Sequence, residues 1–464
     1  MHHDILQTLS CEDLFMILYH LEHTAHVINE IMWGWPLIIF VILAGIIMTC
    51  ALDFVQVRYF FQAWKFLLTP EKKDHQSKNY ISPLQAFVNT LSASVGNGSI
   101  AGMATAMHSG GPGAALWIFI MGFINMAIRF AEVYASTSII DKSSFGALRG
   151  GPMVYLQRVP GGTLLPYVYS FFCLMLTFIG GNIIQCNSMG LGIERITHMS
   201  PSIIAMGMFI LLLYIMLGGS QRIIAISDKI VPIKVGLFFI ATLIVLMYHA
   251  SNLFNALQII IASAFTSQAI AGGIMGYAVQ DAIRYGMARS LNATEAGLGT
   301  ASIFFGATGS THPMRDSIMS MLSTFISYHL VCTVLMIVFV ASGAWTSGLT
   351  STPLTIAAYE TVFGQAGAWL VTFLSLTFGL GVLVAYAYIG LENWLFLFKG
   401  RGKLVYSIVY CCLAFLGPLG KVAILWDLND IIIAGLIITN LYGLLWLLPK
   451  IRAGLKKYQQ EHHA

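Results

Sequence analysis

Apolar residues run along this chain in long continuous stretches, with no regular alternation of polar positions. Eleven stretches approach the length that carries a helix across the hydrocarbon core of a bilayer, roughly 20 residues. They lie near 35–68, 83–107, 112–140, 165–194, 201–218, 230–249, 255–276, 317–342, 367–398, 404–418 and 429–449. Continuous runs predict an all-α polytopic membrane protein. They exclude a transmembrane β-barrel, whose strands alternate apolar and polar positions. No connecting segment is long enough for a separately folded soluble domain.

Lys and Arg orient the array, because cytoplasmic loops carry the excess of positive charge. With the N-terminus outside, eighteen of the 24 Lys and Arg fall in alternate, inner segments. Only Arg195 and Lys421 fall in outer ones, and Arg58, Lys65, Arg129 and Lys234 lie within spans. The expected topology is eleven spans, N-out and C-in. Residues 1–34 form an extracytoplasmic segment, 35–68 an additional helix and 450–464 a cytoplasmic tail. The inner segment 277–316, with Arg284, Arg289 and Arg315, is semi-polar and Gly-rich, and is expected to lie against the cytoplasmic mouth.

Two apolar runs are interrupted. The second carries Gly96, Gly98 and Gly102 near its middle, among Ser94, Asn97 and Ser99. Each Gly costs about 1 kcal/mol against Ala inside a helix, and lipid tolerates unwound polar backbone only where protein surrounds it. The seventh run carries Thr266, Ser267, Gln268 and the Gly272–Gly273 pair. Runs two and seven are five apart, so ten helices divide into two sets of five with opposite polarity, 83–249 and 255–449. Matched interrupted helices in two inverted halves point to a transporter site at the bilayer midplane. Half-helix N-termini there face an anionic group and unwound carbonyls hold a cation, which suits a zwitterion.

Composition agrees. Hydrophobic residues make up 57% of the 464 and charged residues 9%, against about 25% charged in soluble domains. The net charge of +4 comes from short loops and implies no nucleic-acid partner. Cys50, Cys173, Cys186, Cys332, Cys411 and Cys412 fall in apolar runs without a CxxC pair, so neither a disulfide framework nor a metal site is expected. No Lys or Arg precedes Arg58, so the N-terminus is not read as a secretory signal. The His20, His23, His26 spacing reads as an amphipathic surface segment in preference to a metal site. No nucleophile–base or metal-ligand spacing marks an enzyme, and no cofactor is expected beyond a coupling ion.

The stretches "VGNGSIAGMATAMHSGGPGAALW", "FAEV", "GGPM", "GNIIQCNS", "SAFTSQAIAGG", "AIRYGMARSLNATEAGLGTA" and "HPMR" resemble the alanine/glycine:cation symporters, in unbroken order over roughly 80–450. The resemblance implies a LeuT-type 5+5 inverted-repeat core with one additional N-terminal transmembrane helix. It implies import of a small neutral amino acid with sodium, in a multi-pass protein of the plasma membrane (the inner membrane of a bacterium), read as a monomer. It puts the substrate on Asn97, Gly98, Gln185, Phe265, Thr266, Gly272, Val382 and Tyr386. The cation site, or its substitute, falls on Ser94, Val95, Ser99, Gly381 and Lys234. Arg129 and Glu132, spaced i, i+3, read as an internal ion pair or cytoplasmic gate. Glu295 reads as a gate or helix cap on the cytoplasmic face.

The departures from the family pattern concern the cation. The family's GTGN is here Gly96-Asn97-Gly98-Ser99. Its Ser-Thr sodium pair aligns with Gly381 and Val382, and its Trp with Tyr386. Lys234 stands where relatives carry an apolar residue, and burying it costs roughly 2.5–3.5 kcal/mol on insertion scales. One reading has Lys234 snorkel to the cytoplasmic interface. The other puts its ammonium in the vacated cation site, where protonation replaces sodium binding. The leading function is sodium-coupled amino-acid import. The alternatives are a proton-coupled or ion-independent transporter using Lys234 and, behind these, a non-transporting amino-acid sensor.

Overall fold

The computed structural model describes residues 23–25, 27–69, 81–141, 150–265, 279–420 and 423–463. All regular structure among the described residues is helical. Six helices are long and apolar enough to cross a membrane: Ala114–Ser138 (α4), Leu165–Thr197 (α5), Lys229–Tyr248, Pro313–Ala341 (α11), Gln365–Leu397 (α13) and Leu425–Glu461. A seventh is added if His23–Met32 and Trp35–Ala51 (α1), bent by 42°, form one span. Lys229–Tyr248 is the latter part of α7 (Gly219–Tyr248), and Leu425–Glu461 lies within α15 (Ala423–His463). Shorter apolar helices are α6 (Pro201–Leu217), Ala250–Phe265, which contains α8 (Leu253–Phe265), and Lys403–Leu419, which contains α14 (Lys403–Leu416).

The second run is broken where its glycines predict. Its lower half, α2 (Pro83–Ser94), starts on a capping box: Ser82 Oγ accepts the Gln85 amide at 3.1 Å and Gln85 Oε1 accepts the Ser82 amide at 3.1 Å. Pro83 follows at the first helical position, where its missing N–H costs nothing. Helical backbone stops at Val95 (φ −115°, ψ 83°). It resumes as a π-helical turn, Gly98–Gly102, and then α3 (Met103–Gly110). Two more π-helical segments, Ile179–Ile183 in α5 and Ile326–Thr333 in α11, lie mid-helix. Such segments release backbone groups and often mark functional positions.

The described residues hold a second break outside the run expected to carry it. The described part of run seven, α8, turns Phe254, Ile261 and Phe265 outward (72, 54 and 61% exposed) and packs on α4 and α11. Its expected interruption at Thr266–Gly273, including Thr266 and Gly272, lies outside the described residues, as do His20 and His26. Instead α9 (Val279–Thr294) runs antiparallel to α3. A Cβ at Gly110 would stand 3.1 Å from the Asp281 carbonyl and one at Gly98 3.1 Å from Ala293 Cα. After Thr294 the chain unwinds through Glu295, Gly297 and Gly299, all with left-handed φ (57, 88 and 80°). It then re-forms as α10 (Thr300–Gly306). Residues 279–306, within the segment expected as a cytoplasmic stretch, therefore hold a broken helix.

The physical reason is burial in protein. A helix between other helices needs no apolar surface, whereas α8, turned outward, does. Arg284 and Arg289, expected in an inner loop, lie on α9 and form ion pairs with Glu30 (3.5 Å) and Asp430 (2.8 Å). Their partners belong to the N-terminal segment and the start of the last helix, both assigned outside by the charge pattern.

Candidate functional site

The two breaks meet at a small buried cavity of about 10 Å³, room for one water. Gly96 and Gly98 come from the first break, Asn292, Ala293 and Glu295 from the second, Gln185 from α5, and Val382 and Tyr386 from α13. Four of the eight expected substrate residues, Gly98, Gln185, Val382 and Tyr386, thus line one space. Asn97 touches it through Gln185. Phe265 does not join it: it lies at the end of α8, in edge contact with Trp117 at 6.2 Å. The outward face of that helix carries it away from the cavity.

The π-turn in α5 explains how Gln185 reaches the break. The carboxamide folds back, Nε2 donating to the Gly180 carbonyl at 3.0 Å, and leaves Oε1 to accept the Asn97 backbone N–H at 3.1 Å. Ser375 Oγ donates to Asn97 Oδ1 at 2.8 Å from α13. Val382 packs on Gly96, where an added Cβ would stand 2.2 Å from its Cγ2. The Tyr386 ring covers Gly181 equally closely. Sequence reasoning missed Ser375, Asn292 and Ala293. The family stretch "AIRYGMARSLNATEAGLGTA" contained the last two, but its semi-polar composition hid the helix.

Lys234 does not snorkel. It is fully buried, and its Nζ donates to the Val95 carbonyl at 2.7 Å and the Ser92 carbonyl at 3.1 Å. These are carbonyls that the end of α2 leaves unpaired, at the negative end of the half-helix. Gly381 makes room: a Cβ there would stand 2.5 Å from Nζ. Ser92 Oγ donates to the Gly381 carbonyl at 2.9 Å, and the Phe378 ring lies 5.5 Å from the ammonium. Among the described residues no carboxylate lies within ion-pair distance of Lys234. Ser94 accepts from Ser327 Oγ at 2.9 Å. Ser99 is buried one turn along.

The second break is also capped by a buried cation. Arg129 Nη2 donates to the Thr294 carbonyl at 3.1 Å and Nε to Thr324 Oγ1 at 3.3 Å. Its Nη1 lies 3.3 Å from Glu132. Glu132 Oε1 in turn accepts the Gly299 amide at 2.9 Å and Asn440 Nδ2 at 2.8 Å. Thus Arg129 and Glu132, expected as an ion pair or gate, hold both ends of the unwound loop. Cation meets carbonyl and carboxylate meets amide, as the half-helix dipoles favour. Glu295, expected at the cytoplasmic face, sits in the break itself, 3% exposed, accepting Thr300 Oγ1 at 2.8 Å and lying beside Tyr386. It faces the cavity because the left-handed backbone at residue 295 turns it there.

Comparison with known proteins identifies the family. The model of the sodium:alanine symporter family matches residues 18–464. An uncharacterized transporter of Haemophilus influenzae is 32% identical over 443 residues, 95% of this chain and 96% of that protein. A sodium/alanine symporter of Methanococcus maripaludis is 29% identical, covering 93% of this chain and 96% of its own length. A probable sodium/glutamine symporter of Bacillus subtilis is 29% identical, with 96 and 92% covered. The chain is an integral membrane transporter, not an enzyme, and belongs to the sodium:alanine symporter family.

Proposed function

We propose that this protein imports a small neutral amino acid by alternating access, on eleven spans arranged N-out as one additional helix and two inverted sets of five. The charge pattern supports the count once residues 279–306 replace 255–276 as the seventh span. Segment 249–278 then becomes an outer stretch without Lys or Arg, and Arg284 and Arg289 stand beside their outer partners.

The observation that carries the reading is the meeting of two helix breaks at one buried cavity. The substrate carboxylate takes the Asn97 and Gly98 amides, displacing Gln185 Oε1, which already occupies the Asn97 N–H as a neutral stand-in. Glu295 faces the ammonium. Val382 and Tyr386 leave space only for a small side chain. The Lys234 ammonium supplies the cation. It sits on the unwound carbonyl Val95 and against Gly381, where the family's sodium ligands align. Coupling therefore runs through the lysine's proton in place of sodium.

Uptake of labelled alanine into proteoliposomes in sodium-free medium tests this. Unlabelled glycine and serine are expected to compete, while leucine and lysine are not. Absence of any amino-acid uptake, with or without sodium, would defeat the transporter reading.

A further inference from the structure

We propose that Glu392, on the cytoplasmic half of α13, takes the proton that Lys234 gives up and passes it to the cytoplasm. The proposal rests on the reading of Lys234 as carrier of the coupling proton and names the group that empties it. Glu392 is 5% exposed, and its Oε2 is buried without a hydrogen-bond partner. It forms no ion pair among the described residues. Lys399, Arg401 and Lys403, just beyond the end of α13, mark that end as cytoplasmic. Gly381, which borders the Lys234 ammonium, is followed at steps of four, three and four residues by Ala385, Tyr388 and Glu392. Such spacing puts all four on one side of an unbroken helix. The stripe runs about 16 Å from Gly381 to Glu392.

The surroundings select a proton as the ligand. Lys403, exposed at the start of α14, is the cation whose field reaches Glu392, and Tyr388 is the titratable group beside it. α5 and α14 turn neutral groups to this end of α13: the Cys173 thiol accepts Asn393 Nδ2, and the Tyr406 hydroxyl donates to the Ala387 carbonyl at 3.1 Å. α2 and α10 carry no charged side chain. α7 brings Lys234 and the exposed Lys229, and Glu295 lies higher, beside Tyr386. A hard cation needs several oxygen ligands, whereas a lone carboxylate suffices for a proton. Ionisable groups buried in this way inside a membrane mark proton or ion pathways. A further unpartnered polar atom lies on α2, which packs against α13: Oδ1 of the fully buried Asn89. Asn89 is one turn nearer the cytoplasm than Ser92, whose carbonyl holds the Lys234 ammonium. Tyr388 stacks on Phe304 of α10, ring centroids 5.4 Å apart, and sits along α13 between the cavity residue Tyr386 and Glu392. Parting of α10 from α13 in an inward-facing state admits water along the stripe. Through that water the Lys234 ammonium becomes an amine and the Glu392 carboxylate a carboxylic acid. The acid then loses its proton to cytoplasmic water, which restores the carboxylate.

Full-length wild type, Glu392→Gln, Glu392→Asp and Lys234→Met are reconstituted in proteoliposomes, and two rates are compared. Net uptake of labelled alanine down an inward proton gradient requires proton release inside at every turn. Exchange of labelled outer for unlabelled inner alanine, at equal pH, does not. Glu392→Gln should slow net uptake about 100-fold, the lower end for a positioned proton-transfer group, and leave exchange unchanged, which also reports that the variant is folded. Imidazole trapped inside, a diffusible base, should restore net uptake in that variant. Glu392→Asp keeps a carboxyl and should retain most of the net rate. Equal loss of net uptake and exchange in Glu392→Gln would assign Glu392 to structure or substrate passage and overturn the relay. Wild-type net uptake in Glu392→Gln, with the pH dependence lost in Lys234→Met, overturns the relay while the reading of Lys234 stands. Unchanged pH dependence in Lys234→Met removes that reading and the relay together.

Discussion

Each of the two helix breaks among the described residues has its carbonyl end capped by a buried cation, but the two caps differ. At the second break Arg129 is paired with Glu132, and the pair clamps both ends of the unwound loop. At the first break Lys234 holds Val95 and Ser92 without a carboxylate beside it among the described residues. A guanidinium keeps its proton under all ordinary conditions, whereas a lysine amine releases it when its surroundings require. The paired cap is therefore a fixed joint. The unpaired cap can change charge during a transport cycle.

Breaking the joint gives the largest expected effect. Arg129→Met leaves Glu132 buried and uncompensated, and removing one partner of such a pair costs about 3–5 kcal/mol. The variant should lose most of its folded yield, read by size-exclusion chromatography and thermal unfolding in detergent. Near-native stability would show that the clamp is dispensable.

Crowding the lysine gives a smaller effect. A Gly381→Ser side chain must displace Nζ, since an added Cβ would stand 2.5 Å away. Loss of one charge-assisted hydrogen bond, worth about 1.5–3 kcal/mol, should slow uptake about tenfold or more with folding intact. Combined with Lys234→Met, the same serine returns a hydroxyl beside the Val95 carbonyl. Uptake should then become stimulated by sodium, because unwound carbonyls with added oxygen ligands coordinate that ion. No change in ion dependence would show that Gly381 does not border the cation site.

The sequence was most legible where helices meet lipid. Apolar runs predicted Ala114–Ser138, Leu165–Thr197, Pro313–Ala341 and Gln365–Leu397 to within a few residues, and Gly96 and Gly98 marked the first break. It was least legible where a helix meets only protein and a polar cavity. Val279–Thr294 carries Asp281, Arg284 and Arg289 because Glu30 and Asp430 answer the two arginines, so it reads as a loop. The outward-facing α8 reads as a span for the opposite reason. Lys234 illustrates the limit at one residue. Its position in an apolar run fits both snorkelling and burial, and only the packing of Gly381 and the orphan carbonyls of α2 decides between them. Glu295 reaches the cavity through a left-handed turn at a non-Gly residue, which nothing in the local pattern announces.

The most direct test of Lys234 is its replacement by Met, which keeps the apolar stem and removes the charge. Initial rates of alanine uptake in proteoliposomes are measured as outer pH is lowered, with and without sodium. Wild type should accelerate as the outer pH falls, since the amine must load a proton outside and release it inside, and sodium should have no effect. Lys234→Met should lose that pH dependence while remaining folded. A strict sodium requirement in wild type, with the pH profile unchanged by the substitution, would contradict the account.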